Sequence, residues 1–426
     1  MFQKILWTLE QAIFVILLKT TEPIITVLQT ILDLLFGPTK SDLLRKNEYV
    51  FRYNVLLNTK VVGTQLSNHR LFLKKFRSVE DISIIENEDV TLYGVEEDSF
   101  IFVRTKAGIN LYDGDKYPFF PVIQHDATTE VMMVSHEAVF RYMDTKPSRD
   151  GKNMSMLYII GRCGSTLVTQ MVHCSGQAIT ICGPNALDNV MKLSNQKDVI
   201  VSKNSTKDIK LMKTSLLLLA RDPEKSYFIK AFPTLTGCMP HIVQHAMPGI
   251  TEMFMYRALK PVLTSYMKLS GPLFSHRIAN YFIRGLPLKY RRIWNKIKVT
   301  DPQRKLLFNM MGQIHPFYLE AAERKELKSF NYESLMADKE GFCKSLLETI
   351  GVGSEHVPNA LRALNRDSQG KYAALSRAVL KTRSVTISEE ALQWAKVIAR
   401  DEFGIELEGP DYSITNFPNP WQSYEQ

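Results

Sequence analysis

Apolar runs alternate with helix-spaced segments from Met154 onward. Four short apolar runs bounded by turn residues predict strands. Between them, apolar residues three and four apart predict helices over 184–193 and 206–220. Strands that alternate with helices are typical of an α/β fold with a parallel sheet, which binds ligands at the carboxyl ends of its strands. The predicted strands are Leu157–Ile160, Ala178–Cys182, Ser226–Lys230 and Thr251–Tyr256.

The pattern differs between residues 47 and 145, where short β-type runs are separated by turn residues. They predict a β-rich domain of 47–145, with Asp113–Gly114 as a hairpin turn and no residue spacing typical of a catalytic set. Lys146–Gly151 predicts a linker, so the α/β domain is set at 154–408. The tail, 409–426, is expected to be irregular. The predicted strands of the β-rich domain are Val90–Tyr93, Ser99–Arg104, Ile109–Tyr112 and Val131–Val134.

Residues 1–36 are rich in large aliphatic residues, but polar residues interrupt every run before it reaches the roughly 18–20 that a spanning helix needs. Two short helices around Pro23, lying in a membrane interface, are the interpretation, with packing on the protein itself as the alternative. The first domain is therefore set at 1–40. We expect membrane association, with the Golgi as the candidate compartment. Glycosylation sequons at Asn153 and Asn204 favour a lumenal side but leave the cytosolic side open.

The net charge of +9 over 426 residues is concentrated in one segment. Between Met253 and Thr300 there are ten Lys or Arg and no Asp or Glu. Such a block predicts an anionic ligand, an anionic acceptor or a membrane surface, and a solvated helix face is the alternative. Nucleic acid is not expected as a partner. The five cysteines show neither CxxC pairs nor the spacing of a zinc site, so no metal is expected.

A glycine-containing turn follows the first predicted strand of the α/β domain. It reads Gly-Arg-Cys-Gly-Ser-Thr from Gly161 to Thr166 and leads into an apolar run with helical spacing. A helix that begins after such a turn points its free N–H groups and its positive dipole end at one spot, which predicts an anion site. Arg162 adds a planar guanidinium that can bind phosphate or sulfonate oxygens in two places. No lysine precedes Ser165, so the turn is not the Gly-Lys-Ser/Thr loop of a P-loop kinase or NTPase.

Two further motifs follow in order. Arg257 comes directly after the fourth predicted strand, and Ser265 lies eight residues later within the next predicted helix. Further on, residues 330–338 read Phe-Asn-Tyr-Glu-Ser-Leu-Met-Ala-Asp. Together with the turn at 161–166, these motifs resemble the P-loop sulfotransferase family over residues 154–408. They match its phosphosulfate loop, its 3′-phosphate site and its segment with a Tyr-Glu pair.

The resemblance implies a P-loop sulfotransferase-like sheet with flanking helices, and transfer of a sulfonate group to a hydroxyl acceptor of the glycan or lipid class. The implied donor is 3′-phosphoadenosine 5′-phosphosulfate (PAPS), with no metal. Lys230 matches the family's lysine at the end of the third strand, which stabilises charge as the sulfonate leaves. The implied PAPS-binding residues are Arg162, Cys163 (through its N–H), Gly164, Ser165 and Thr166 for the phosphosulfate, and Arg257 and Ser265 for the 3′-phosphate.

The general base departs from the family's pattern. Phe232 stands where cytosolic members carry a histidine, and Gly183 stands where other branches carry a glutamate. Asp188 is the candidate base, with His241 and His245 as alternatives, and the two histidines lack a third metal ligand. Two hypotheses follow: a PAPS-dependent sulfotransferase, or a non-catalytic homologue that binds PAPS or its product adenosine 3′,5′-bisphosphate (PAP).

Overall fold

Two five-stranded sheets, one antiparallel and one parallel, organise the chain in the computed structural model. The chain divides into two units. Unit 1 contains Met1–Asp150, Gly183–Ser194 and Asn204–Pro223, and unit 2 contains Gly151–Cys182, Asn195–Lys203 and Glu224–Gln426. The structure describes residues 20–59, 69–196, 206–232, 239–269, 283, 286, 288–297, 299–365, 367–368, 380–381 and 383–418.

The sheet of unit 1 has the strand order β2-β1-β5-β4-β3 and is antiparallel throughout. Its buried face carries aromatic and β-branched side chains such as Phe51, Phe72 and Val131, which pack into one cluster. The strands are β1 (Val50–Asn58), β2 (Phe72–Glu80), β3 (Val90–Val95), β4 (Ser99–Thr105) and β5 (Thr128–Ser135). The helices are α1 (residues 20–36), α2 (Lys40–Leu44), α3 (Phe120–Ala127), α4 (His136–Asp144), α6 (Asn185–Gln196) and α7 (Thr206–Leu219).

Side-chain amides bond to both edge strands of this sheet. At the β2 edge, Gln29 of α1 donates from Nε2 to the Lys74 carbonyl and accepts at Oε1 from the Lys74 N–H, both at 2.9 Å. At the β3 edge, Asn189 of α6 accepts at Oδ1 from the Val95 N–H at 3.2 Å, and α7 packs against the same strand. These bonds occupy backbone groups that an open edge would offer to another strand.

Two predictions for unit 1 are wrong in detail. Ile109–Tyr112 is not a strand and Asp113–Gly114 is not a hairpin turn. The side chain of Asn110 accepts from the Tyr112 N–H at 3.0 Å, and that of Asp113 accepts from the Lys116 N–H at 3.0 Å. These local bonds compete with a ladder for the same backbone groups, so turns form instead.

The break predicted at Pro23 is also absent, because residues 20–36 form one helix through it. Proline has the backbone angle of a helix and removes one hydrogen-bond donor, so a helix can continue through it at a limited cost. The preceding residues, 1–19, lie outside the described part of the chain. Within the described part, none of the helices combines the length and apolar character needed to cross a bilayer.

The sheet of unit 2 is parallel throughout, with the strand order β10-β9-β6-β8-β7. The four predicted strands are present within three residues of their expected bounds, so the predicted α/β fold with a parallel sheet and flanking helices is confirmed. The strands are β6 (Met154–Ile159), β7 (Ile179–Cys182), β8 (Tyr227–Lys230), β9 (Thr251–Tyr256) and β10 (Lys328–Asn331).

The helices of unit 2 pack on both sides of this sheet. Phe317 of α11 stacks on Phe254 of β9, with ring centroids 4.2 Å apart, whereas α5 packs against β7 and β8. A short pair of strands, β11 (Leu407–Glu408) and β12 (Ser413–Ile414), joins the end of the α/β domain to the tail, where irregular structure is expected from 409 onward. The helices are α5 (Ser165–Ser175), α8 (Met239–Ala246), α9 (residues 259–269), α10 (Leu288–Ile297), α11 (Pro302–Glu323), α12 (Tyr332–Ala337), α13 (Lys339–Thr349), α14 (Val357–Leu361) and α15 (Glu389–Phe403).

Candidate functional site

The turn between β6 and α5 has the backbone of an anion-binding loop. Gly164 takes φ +92° as the residue before α5, and Arg162 takes φ +67°, which is uncommon for a residue with a side chain. The Ile160 N–H donates to the Met255 carbonyl at 3.2 Å, which fixes the start of the loop to β9. Cys163 is fully buried, and this burial raises the pKa of its thiol. The thiol is therefore protonated at neutral pH, and Cys163 can bind an anion through its backbone N–H.

Lys230 lies at the end of β8, next to this loop. β6 and β8 are parallel neighbours with Leu157 opposite Lys230, so their carboxyl ends meet at one edge of the sheet. The side chain of Lys230 is 5% exposed, and its Nζ donates to Thr166 Oγ1 at 3.2 Å. The structure therefore brings together two residues that the sequence placed 64 positions apart.

Arg162 and Ser265 are in direct contact. Arg162 Nε donates to Ser265 Oγ at 2.8 Å, across 103 positions of sequence, from the loop to helix α9. Burial lowers the pKa of Arg162, and the neighbouring Tyr266 phenol acts in the opposite direction. A buried guanidinium is stabilised by an anion, because its own hydration has been lost. The residues predicted for the two ends of the nucleotide thus form one continuous polar site.

Arg257 packs against an aromatic ring and pairs with a carboxylate. Its guanidinium carbon lies 4.2 Å from the ring centroid of Tyr332, and its Nε lies 3.7 Å from Glu333 Oε1. That Nε is buried and has no hydrogen-bond partner within the described residues. Burial raises the pKa of Glu333, and the positive charge of Arg257 only partly offsets this. A buried donor without a hydrogen bond is costly, so this atom fits a place where a ligand anion binds.

Tyr332 also covers the loop itself. A Cβ placed on Gly164 would lie 2.6 Å from Tyr332 Cε2, which shows how closely the ring approaches the backbone there. The sequence motif at 330–338 contains Tyr332 and Glu333, but it does not predict the contact of Tyr332 with the loop. The contact follows from the strand order. Asn331 at the end of β10 pairs with Tyr256 at the end of β9, so the residues after both strands lie at one edge of the sheet.

The candidate bases are placed as follows. Asp188 lies in the first turn of α6, in unit 1, is 6% exposed, and pairs with Lys192 at 2.6 Å. His245 Nδ1 lies 2.8 Å from the His241 carbonyl within α8, an ordinary contact inside one helix. No group of three potential metal-binding side chains occurs in the described residues. Of the basic segment 253–300, residues 270–282 and Lys298 are among those outside the described part.

A search of solved structures finds matches at low identity and low TM-score. Retinol dehydratase in complex with retinol and PAP is 12% identical, with a TM-score of 0.31, over 63% of this chain and 87% of that one. Sulfotransferase STF9 from Mycobacterium avium is 13% identical, with a TM-score of 0.36, over 64% and 82%. The sulfotransferase domain of the Synechococcus PCC 7002 olefin synthase is 13% identical, with a TM-score of 0.33, over 60% and 98%.

No protein-family model matches the chain, and a search of curated proteins finds no match. Two of these three proteins are a sulfotransferase and a sulfotransferase domain.

Proposed function

We propose that this protein transfers a sulfonate group from PAPS to a hydroxyl of a glycan or lipid acceptor. The observation that carries the proposal is the contact of Arg162 with Ser265 beside the loop, with Arg257 close by through Tyr332. A nucleotide with phosphates at both its 5′ and 3′ positions needs two cationic subsites within reach of each other. The Nε of Arg257, which has an ion-pair partner in Glu333 but no hydrogen-bond partner within the described residues, supports a bound anion at the second subsite.

Different residues bind the 5′ end and the 3′ end of PAPS. PAPS supplies the sulfonate and, in PAP, a stable leaving group. The loop N–H groups, Arg162 and the hydroxyls of Ser165 and Thr166 hold the 5′ end, while Arg257 and Ser265 hold the 3′-phosphate. Lys230 is buried beside Thr166, where its charge stabilises the negative charge that develops on the departing phosphate. No Mg²⁺ is required for this division of roles.

The test of the nucleotide site is calorimetric titration of the full chain with PAP and with adenosine 5′-phosphate. Arg257→Ala removes a charge-assisted contact worth about 1.5–3 kcal/mol, so PAP affinity falls roughly ten- to hundredfold. Affinity for adenosine 5′-phosphate stays nearly constant. The charge-matched control is Lys260→Ala, since Lys260 lies on the same segment but donates to the Pro410 carbonyl at 3.2 Å. Equal weakening of both nucleotides by Arg257→Ala would contradict the 3′-phosphate assignment.

A second candidate function is binding of PAPS or PAP without catalysis. The observation that favours it is the ion pair of Asp188 with Lys192, because the lysine engages the carboxylate that would have to accept the acceptor's proton. Incubation with PAPS and a panel of hydroxyl acceptors separates the two. Release of PAP with formation of a sulfated product supports the enzyme, and tight PAP binding without release supports the binding protein.

Membrane association and a Golgi location belong to the proposal as predictions. Imaging of a tagged full-length chain beside a Golgi marker tests the compartment. A cytosolic or plasma-membrane distribution would remove the Golgi from the proposal and leave the chemistry unchanged.

A further inference from the structure

Helix α1 presents an apolar stripe to the outside. Six large aliphatic residues recur at spacings of three and four positions, so they share one face of the helix. They are between 41% and 81% exposed. Scattered exposed aliphatic residues are ordinary, but a continuous stripe marks a contact surface. The residues of the stripe are Ile24, Val27, Leu28, Ile31, Leu34 and Leu35.

The helix cannot turn this stripe inward without losing its present anchor. Its inner face contributes Ile25, which is 3% exposed, and Gln29, which makes two hydrogen bonds of 2.9 Å to the backbone of Lys74 on β2. A rotation that buried the stripe would break both bonds and expose Ile25. The helix is therefore attached along the edge of its own sheet, with its long apolar side exposed.

The hydrogen-bonded polar side chains of α1 add little to the free-energy cost of moving the helix into an apolar environment. The hydroxyl of Thr26 donates to the Glu22 carbonyl at 2.8 Å, and that of Thr30 donates to the Thr26 carbonyl at 2.9 Å. Gln29 Nε2 also donates to Asp33 Oδ1 at 2.8 Å. Polar groups that already have partners within the helix cost less to remove from water.

The neighbouring strand supplies positive charge. From residue 69 to 79 the sequence contains four Lys or Arg and no Asp or Glu. Lys75 is exposed, and its Nζ lies 4.2 Å from the ring centroid of Phe36, at the end of the apolar stripe. Arg70 is also exposed and lies 3.7 Å from Glu96 Oε1. An apolar stripe flanked by cations complements a bilayer with anionic headgroups.

We propose that the outer face of α1 binds in the plane of an anionic lipid bilayer, with Lys75 contacting the headgroups. This inference does not depend on sulfonate transfer. The occupant is a lipid surface, because the stripe combines aliphatic side chains with adjoining positive charge. A second copy of the chain would gain nothing from adding cations of the same sign to the contact.

The test is cosedimentation of the full-length protein with phosphatidylcholine vesicles, with and without phosphatidylserine. The wild type binds the vesicles that contain phosphatidylserine, and Leu28→Glu lowers the partition coefficient by about tenfold or more. The matched control is Thr26→Glu, which adds the same charge to the same helix outside the stripe and changes partition far less. Lys75→Gln lowers binding to phosphatidylserine vesicles about fivefold and leaves binding to pure phosphatidylcholine unchanged.

Two outcomes would overturn the proposal. One is equal partition of Leu28→Glu and Thr26→Glu, which would mean that another part of the chain binds the lipid. The other is a wild-type dimer in light scattering that Leu28→Glu dissociates, without vesicle binding by either protein. If Leu28→Glu does not fold, Leu34→Ser at the most exposed position of the stripe repeats the test.

Discussion

The packing of Tyr332 on Gly164 leads to a prediction that separates two costs of adding a side chain. Gly164 has φ +92°, and a Cβ there would lie 2.6 Å from Tyr332 Cε2. Gly176, at the other end of α5, has φ +75° but nothing within 4 Å of its Cβ position. Gly164→Ala therefore combines backbone strain with a steric clash, whereas Gly176→Ala introduces strain alone.

The expected magnitudes follow from these two costs. A left-handed backbone costs a residue with a side chain about 1–2 kcal/mol, and this sets the expected loss for Gly176→Ala. Overpacking against a ring adds about 1–3 kcal/mol, so Gly164→Ala should lower the free energy of unfolding by about 2–5 kcal/mol in total. Removing the ring in the double variant Gly164→Ala with Tyr332→Ala should recover the overpacking part and leave the strain.

Urea denaturation of the wild type, the two glycine variants, Tyr332→Ala and the double variant completes the cycle. We expect a favourable coupling of about 1–3 kcal/mol between Gly164→Ala and Tyr332→Ala. PAP affinity should fall in Gly164→Ala, since a displaced Tyr332 no longer supports Arg257. A coupling near zero, or equal losses for the two glycine variants, would refute the packing described for the loop.

Two other predictions concern the candidate base and the response to acid. Asp188→Asn should abolish sulfonate transfer and leave PAP affinity unchanged, and full activity in a transfer assay would exclude Asp188 as the base. Burial lowers the pKa of His136 and that of His315 to about 4. The unfolded chain therefore takes up each proton first, so stability is lost as the pH falls from 6.5 toward 4, by about 3 kcal/mol for each histidine. Urea denaturation at pH 7 and pH 4.5 should show a smaller loss of unfolding free energy in His315→Gln than in the wild type. The exposed control His245→Gln should lose as much as the wild type.

The part of the fold that the sequence could predict is the part that local patterns encode. Thr251–Tyr256 forms a strand over the expected residues because its apolar run and its turn boundaries lie within a few positions. Ile109–Tyr112 has a similar run and still forms turns, since the Asn110 side chain bonds to the backbone of Tyr112. Competition between two kinds of local hydrogen bond decides such cases, and composition alone does not reveal which wins.

The residues of the candidate site are proposed from the sequence, but the contacts between them come from the structure. The motif at 161–166 identified the loop because a glycine turn before a helix has a direct physical meaning. The contact of Arg162 with Ser265 spans 103 positions and depends on which strands are neighbours in the sheet. The role of Tyr332 depends in the same way on the pairing of β10 with β9. Sequence spacing carries no record of that order.

The contact of Asn189 with the edge strand β3 delays completion of the antiparallel sheet during synthesis of the chain. The strands of that sheet end at Ser135, yet α6 and α7, which cover its β3 edge, extend to Leu219. A ribosome must therefore add about 80 further residues before this edge is protected, and at about 5–20 residues per second the nascent edge is open for several seconds. A protease-resistant N-terminal fragment should begin to accumulate only once Leu219 has emerged from the ribosome, and cleavage at the 146–151 link should release no stable β-rich module.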